Sequence, residues 1–375
     1  MFAFEITTIV LLAGMMISLV AGESALYGDT LSLHINVSPK LVESGFDNVT
    51  AEQIFITESA RIVGETSIIP TPTLRVSSNP TVMSALALPF RLESLVGALQ
   101  DQFGFQRLTV NAAVLSGSGD VQRMVIVVAQ SQQVPEQMQV TQSDGDLAAL
   151  VRRGADMTMA RVSPYRVAQA NYIRGLDNDR AALREAKETA TRYLGRPWEP
   201  ARATERAMLH NLLSLLLLLD GDVAAAENEL KQVDPIPGVL AQARAIVAIN
   251  RAFLAVAGKR PGEALSEAQE GEKLADSIGL PDVAARVVTL NGLVAWSGGD
   301  LEQAEKLFRV AIAALPGDDE PHTYLARLLT ARGDAAGAAA ELRAAAAARP
   351  FDVDIPGFAQ SVFWVDPVNG GIRRH

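Results

Sequence analysis

Apolar and polar positions fall into three regimes along the chain. Residues Ile6–Gly22 (ITTIVLLAGMMISLVAG) form a run of 17 without a charge, just within the roughly 17–25 apolar residues a spanning helix needs. From Thr30 to about residue 147, short segments alternate with turns. Thr30–Val37 alternates apolar with polar residues, the period-two mark of a half-buried strand, and Pro39 ends it. Beyond residue 150 apolar residues recur at offsets of three and four, the period of helices packed on one face.

The middle regime predicts a small α/β domain over residues 30–147. A helix over 49–63 carries Val49, Ile54, Phe55, Ile56 and Ile62, introduced by Asn48 and Thr50 as capping residues. A Pro-rich link, Ile69–Thr73, leads to a short strand from Leu74 to Ser78. Leu92, Leu95, Val96 and Leu99 mark an amphipathic helix over Pro89–Gln100. Strands follow at Leu108–Leu115, Arg123–Ala129 and near Met138–Thr141, the first two joined through Ser116–Asp120, whose glycines suit a hairpin. That Gly-Ser-Gly turn lacks the Gly-Lys-Ser/Thr of a phosphate loop, so it reads as a turn and not as a nucleotide site. Helices on one face of a small antiparallel or mixed sheet is the layer solution for this order.

The last regime repeats itself. Gly292 and Ala326, Gly299 and Gly333, Asp300 and Asp334, Ala304 and Ala338, Phe308 and Leu342, Ala311 and Ala345, and Pro316 and Pro350 are each 34 residues apart. Small residues let two helices cross closely, Gly-Asp makes the turn and caps the next helix, the bulky residue fills the space between units, and Pro stops the second helix. Looser copies lie upstream. Asp220–Ala226 repeats the Gly-Asp turn, with Ser214, Ala226 and Leu230 at matching positions. A pair around Ala252 and Ala264 is expected to turn at Lys259–Gly262, and a first pair over 162–195 at Asp177–Asp179. The run Leu212–Leu219, bounded by His210-Asn211 and Asp220, is far short of a bilayer and reads as a buried helix.

This pattern resembles the tetratricopeptide repeat, most clearly at 285–318 and 319–350, within five helix pairs over residues 150–350. The fold class expected is therefore mainly α. A tetratricopeptide-like α-solenoid is preceded by a small α/β domain and a single N-terminal transmembrane helix over 1–23. The resemblance implies that the first helix of each unit lines a concave groove holding peptides. It points to Arg286, Thr289, Leu293 and Trp296, then Thr323 and Arg327, as partner-binding candidates, with Trp296 as either anchor or core. Upstream, Phe253 and Leu215 fall at matching positions, so the groove is either apolar there or filled by the protein itself. The tail, 351–375, is aromatic with little periodicity; it reads as a cap over the last repeat or as a recognition peptide.

Composition narrows the function. With 49% apolar and 20% charged residues the chain is globular, and a net charge of −10 argues against nucleic acid as partner. Charge is uneven: residues 151–200 hold 10 Lys and Arg against 6 Asp and Glu, including Arg152, Arg153, Arg161, Arg166 and Arg174. A solvated helix face accounts for that patch, with an acidic lipid or protein contact as the alternative. The absence of cysteine removes thiolate chemistry, disulfides and a lipoprotein anchor. The four histidines are scattered without ligand spacing, and no Gly-x-Ser-x-Gly elbow occurs, so no catalytic, metal or cofactor site is assigned.

The expected protein is a non-enzymatic bacterial scaffold or assembly factor that holds a protein partner and sits in the inner membrane through residues 6–22. Its bulk is placed on the periplasmic side, although neither flank carries the Lys or Arg that would set orientation. A cleaved signal sequence leaving a soluble chaperone-like or regulatory subunit is the alternative, and an enzyme sited in the α/β domain a lesser one. The residues name neither the partner's identity nor an oligomeric state.

Overall fold

The computed structural model describes residues 30–64, 75–77, 108–117, 121–130, 135–176, 178–198, 202–278, 281–348, 358 and 363–374. The apolar run Ile6–Gly22 and the helix expected at Pro89–Gln100 lie outside them. Among the described residues no helix is long and apolar enough to cross a membrane. The chain divides into two compact units that part between Val162 and Ser163.

The first unit is a five-stranded sheet in the order β2-β1-β3-β4-β5, built from β1 (Thr30–Val37), β2 (Arg75–Ser77), β3 (Leu108–Ser116), β4 (Gln122–Gln130) and β5 (Glu136–Gln142). β1 runs parallel to both β2 and β3, whereas β3, β4 and β5 form an antiparallel meander. The period-two pattern sets the register. Leu31, Leu33 and Ile35 pair with Leu108, Val110 and Ala112, and all six point into one core with Met124 and Ile126. The β3–β4 turn is closed by the Gly117 amide donating to the Val121 carbonyl at 2.8 Å.

After α1 (Pro39–Glu43), helix α2 (Asn48–Gly64) covers this core with Ala51 and Phe55. Its cap differs from the expected one. Asp47 Oδ1 accepts from the Thr50 amide at 2.8 Å, while Asn48 Oδ1 instead takes the Val37 amide at the end of β1. A second covering helix, α3 (Leu147–Val162), seats Leu150, Val151 and Ala155 in the same core. The sequence pattern places those residues in the solenoid, and the structure places them on the sheet. A stripe at offsets of three and four is the same whether a helix packs on a sheet or on another helix.

The second unit consists of five helix pairs: α4 (Pro164–Leu176) with α5 (Arg180–Leu194), α6 (Ala203–Leu219) with α7 (Val223–Lys231), α8 (Ala241–Ala257) with α9 (Pro261–Ile278), α10 (Pro281–Ser297) with α11 (Leu301–Ala314), and α12 (Asp319–Ala331) with α13 (Ala335–Ala347). Each turn within a pair carries one residue at positive φ: Asn178, Gly221, Lys259, Gly299 and Gly333. In four of the five the next residue is an Asp that caps the second helix, as where Asp300 Oδ1 accepts from the Gln303 amide at 3.0 Å and Asp334 from the Gly337 amide at 2.8 Å. In the third pair Lys259 takes the left-handed position, whereas Pro261 and Gly262 open the following helix.

Close crossing explains the small residue of the repeat. A Cβ on Gly292 would stand 2.6 Å from Phe308 Cε1. Phe308 is fully buried; it stacks on Tyr324 of the next pair with centroids 5.8 Å apart and meets Trp296 edge-on at 6.3 Å. Leu342 holds the same place one repeat later and is 53% exposed. Of the run Leu212–Leu219 within α6, all but the half-buried Leu217 and Leu219 are buried. The two clear units thus place a bulky residue at the same position, buried at Phe308 and exposed at Leu342 among the described residues.

Candidate protein-binding surface

First helices of successive pairs touch one another as well as their own partners: α4 meets α6, α6 meets α8 and α8 meets α10. They form one layer of the solenoid, the one the tetratricopeptide resemblance makes the inner layer. On that layer lies the C-terminal segment of the same chain, a two-stranded hairpin of β6 (Phe363–Val365) and β7 (Ile372–Arg374) preceded by Phe358. The hairpin turn is organised by Asp366, whose Oδ1 accepts from the amides of Val368 at 3.0 Å and Asn369 at 2.9 Å. Gly370 and Gly371 follow at positive φ.

Four first helices hold this segment. The Val365 amide donates to Tyr324 Oη on α12 at 3.0 Å. The Arg327 guanidinium of the same helix lies 3.5 Å from the centroid of the Trp364 ring, and Arg373 meets that ring at 5.2 Å. On α10, Arg286 stands 4.8 Å over the Phe358 ring. The Gly371 amide donates to the carbonyl of Ala257, last residue of α8, at 2.9 Å, and Arg374 Nη2 donates to the carbonyl of Leu176, last residue of α4, at 2.8 Å. The last carbonyls of a helix have no intrahelical donor, so the hairpin supplies what those two ends lack. Phe358, Phe363 and Val365 are buried in the process.

Of the residues the sequence singled out, two meet this segment, three are buried and Thr323 is half-buried. Arg286 and Arg327 make the cation–aromatic contacts just described. Thr289 is buried with its hydroxyl bonded back to the Ala285 carbonyl at 3.2 Å, and Leu293 is fully buried. Trp296 is buried and packs edge-on against Phe308 of its own pair. Thr323 is half-buried and donates to the Asp319 carbonyl at 3.0 Å. A helix face cannot be split into inner-layer and seam positions from periodicity alone, because both are apolar and a turn apart.

Sequence reasoning did not single out Tyr324, Phe358, Trp364 and Val365. The available signal was the Asn369-Gly370 dipeptide between Phe363-Trp-Val and Ile372-Arg-Arg, a hairpin pattern in the tail. The described part of the tail meets α12 of the last pair as well as α4, α8 and α10, and Leu342 is exposed.

Beneath the segment the inner layer is charged as well as apolar. Arg286, Asp318 and Glu320 are all nearly inaccessible, with Arg286 Nη1 3.8 Å from Glu320 Oε2. Burial raises the Asp318 pKa above its ordinary value, against the opposing pull of Arg286 and the hydrogen bond from the Glu320 amide. Burial likewise lowers that of Arg327 and raises that of Tyr324. Elsewhere a His–Glu bond recurs inside two pairs: His210 Nδ1 to Glu229 Oε2 and His322 Nδ1 to Glu341 Oε2, both 2.7 Å. The basic patch seen in the sequence is largely spent within the chain, since Arg161 pairs with Glu136, Arg152 with Asp146, and Arg174 with Asp179 and Glu185. Among the described residues no three His, Asp or Glu side chains gather as metal ligands would.

No curated protein matches the chain. Solved structures similar to it include BtubC from P. vanneervenii, 19% identical, covering 52% of this chain and 86% of that one with a TM-score of 0.39. PilF of Pseudomonas aeruginosa is also 19% identical, covering 51% and 77% with a TM-score of 0.36. A double mutant of MamA from RS-1 is 15% identical, covering 51% and 93% with a TM-score of 0.34. At those scores no conclusion rests on them. In the family comparison residues 295–355, from the end of α10 to beyond α13, match the tetratricopeptide repeat.

Proposed function

We propose that this chain is a scaffold that binds another protein on the inner layer of its solenoid and is tethered to a membrane by residues 6–22. One observation carries the first half. A polypeptide segment already sits on that layer, held by backbone hydrogen bonds to Tyr324 Oη and Ala257 O and by guanidinium–aromatic contacts at Arg286 and Arg327. Such a surface recognises main chain and side chain together, which is peptide binding and not catalysis. The tether rests on the uncharged length of Ile6–Gly22. A bacterial inner membrane with the solenoid on its periplasmic side is the placement we favour.

The test is purification of the detergent-solubilised full chain with identification of stoichiometric co-purifying proteins. It is run beside Arg327→Glu on the inner layer and Arg309→Glu on an exposed helix face. A partner lost with Arg327→Glu and kept with Arg309→Glu supports the reading. A partner kept by both variants moves binding to another surface. The mass of the mature chain tests the tether: loss of residues 1–22 makes the protein a released subunit instead.

A further inference from the structure

We propose that the C-terminal hairpin is a displaceable self-ligand, and that the partner which replaces it is a polypeptide strand presenting one aromatic ring to Arg327 and another to Arg286. This rests on the inner layer being the recognition surface. The hairpin itself is the template for the partner. Its contacts divide into those any strand could make and those that demand a side chain. The Val365 amide to Tyr324 Oη and the Gly371 amide to Ala257 O are main-chain bonds, indifferent to sequence. The rings of Trp364 and Phe358 over Arg327 and Arg286 are the selective ones. An aromatic followed by a β-branched residue, as in Trp364-Val365, is therefore the minimal chemistry for the α12 seat.

Three features separate this seat from a permanently closed core. Where the chain closes permanently, as in the seam of Trp296, Phe308 and Tyr324, ring packs on ring. Under the tail, by contrast, Arg286, Asp318 and Glu320 are buried together, an expensive floor for a core and a selective one for a ligand. Trp364 is only half-buried. A two-stranded hairpin is also marginal by itself, so this one keeps its shape only while docked and would unravel once displaced.

Tethering sets the strength of the competition. A tethered ligand is held at an effective concentration of roughly 1 mM, so a hairpin sequence of micromolar untethered affinity imposes about a 100- to 1,000-fold handicap on a competing strand in the intact chain. The probe is a fluorescent synthetic peptide of residues 356–375, titrated into the full wild-type chain and into a full chain carrying Phe363→Ala and Trp364→Ala. We expect the doubly substituted chain to bind the probe at least about 50-fold more tightly than wild type, given that handicap. Adding Arg327→Ala to it should cost about tenfold, and Trp364→Ala in the probe about thirtyfold.

Equal binding by both chains, or no binding by a substituted chain that keeps its helical circular dichroism, overturns the proposal. Loss of that helicity also overturns it, since the tail would then be core. A wild-type dimer that the probe dissociates would place a second copy's tail in the seat and overturn the partner-strand assignment. Failure is separable from that of the function reading. A probe that binds as expected, with no cellular partner lost in Arg327→Glu, leaves the self-ligand standing and removes the scaffold.

Discussion

The contact between Arg327 and Trp364 can be weighed with a double-mutant cycle. Its 3.5 Å separation from guanidinium carbon to ring centroid is close, and the half-buried surroundings lower the pKa of the arginine by desolvation. Cation–aromatic pairs run from about 0.5 kcal/mol when exposed to about 2 kcal/mol when desolvated, so a coupling of ~1 kcal/mol is expected here. Trp364→Ala alone should cost ~2 kcal/mol of hairpin docking, about half the value for a fully buried ring. Arg327→Ala should cost ~1–2 kcal/mol, because its stem also packs. Arg373, at 5.2 Å on the same ring, is a weaker second cation, and its removal should cost less than ~0.5 kcal/mol.

The assay is native-state hydrogen exchange at the amides of Val365 and Gly371, which are protected only while bonded to Tyr324 and Ala257. About tenfold faster exchange corresponds to ~1.4 kcal/mol of lost docking, so each single variant should be visible. Single effects that add to within ~0.3 kcal/mol in the double variant would refute the interaction. Unchanged protection in Trp364→Ala would refute the docking itself.

Gly292→Ala should lower the melting temperature of the second unit, at a cost of about 1–3 kcal/mol, because the new Cβ would meet the packed ring of Phe308 at 2.6 Å. Lys259→Gly should raise it, since relief of φ +57 is worth about 1 kcal/mol before the added chain entropy of glycine; a lower melting temperature would show the lysine stem to be needed. For Asp318 the folded pKa lies above the ordinary 3.8, so its favourable contribution is present below that pH and is lost as pH rises through the folded value. Asp318→Asn should therefore be more stable than wild type at pH 7 and lose that advantage below about pH 3.8 in urea titrations at each pH.

The repeat was legible because its residues answer to local geometry. A residue at positive φ, an Asp cap and a small residue at the crossing leave marks at fixed spacing, so Gly292, Gly299, Asp300 and Phe308 could each be given a job from sequence. The strands were legible from period two, to within a residue or two at their ends. The helix α3 was misassigned because an amphipathic stripe does not say what covers it. The inner-layer contacts were less legible still. Tyr324 and Val365 are 41 residues apart, and Leu176 and Arg374 are 198 apart, so their meeting leaves no periodic trace. Trp296 illustrates the same limit, since its type suggested an anchor while only the position of Phe308 and Tyr324 makes it core.

A solenoid ordinarily assembles by neighbour upon neighbour, so that each pair gains from the next and the ends need not know of one another. The bond from Arg374 to the Leu176 carbonyl breaks that rule, because it joins the final strand to the first pair. Residues of the hairpin, made after the five pairs, thus complete contacts to helices made far earlier, and the contact of Arg374 with Leu176 closes a separation of 198 residues. Until those residues emerge, the stacked pairs can gain and lose helices piecemeal from either end. Once the hairpin docks, α4, α8 and α12 are fastened to one clasp, and opening any of them must strain the others. Unfolding of the second unit should accordingly be one sharp transition in the intact chain and a staggered one wherever the clasp is undone.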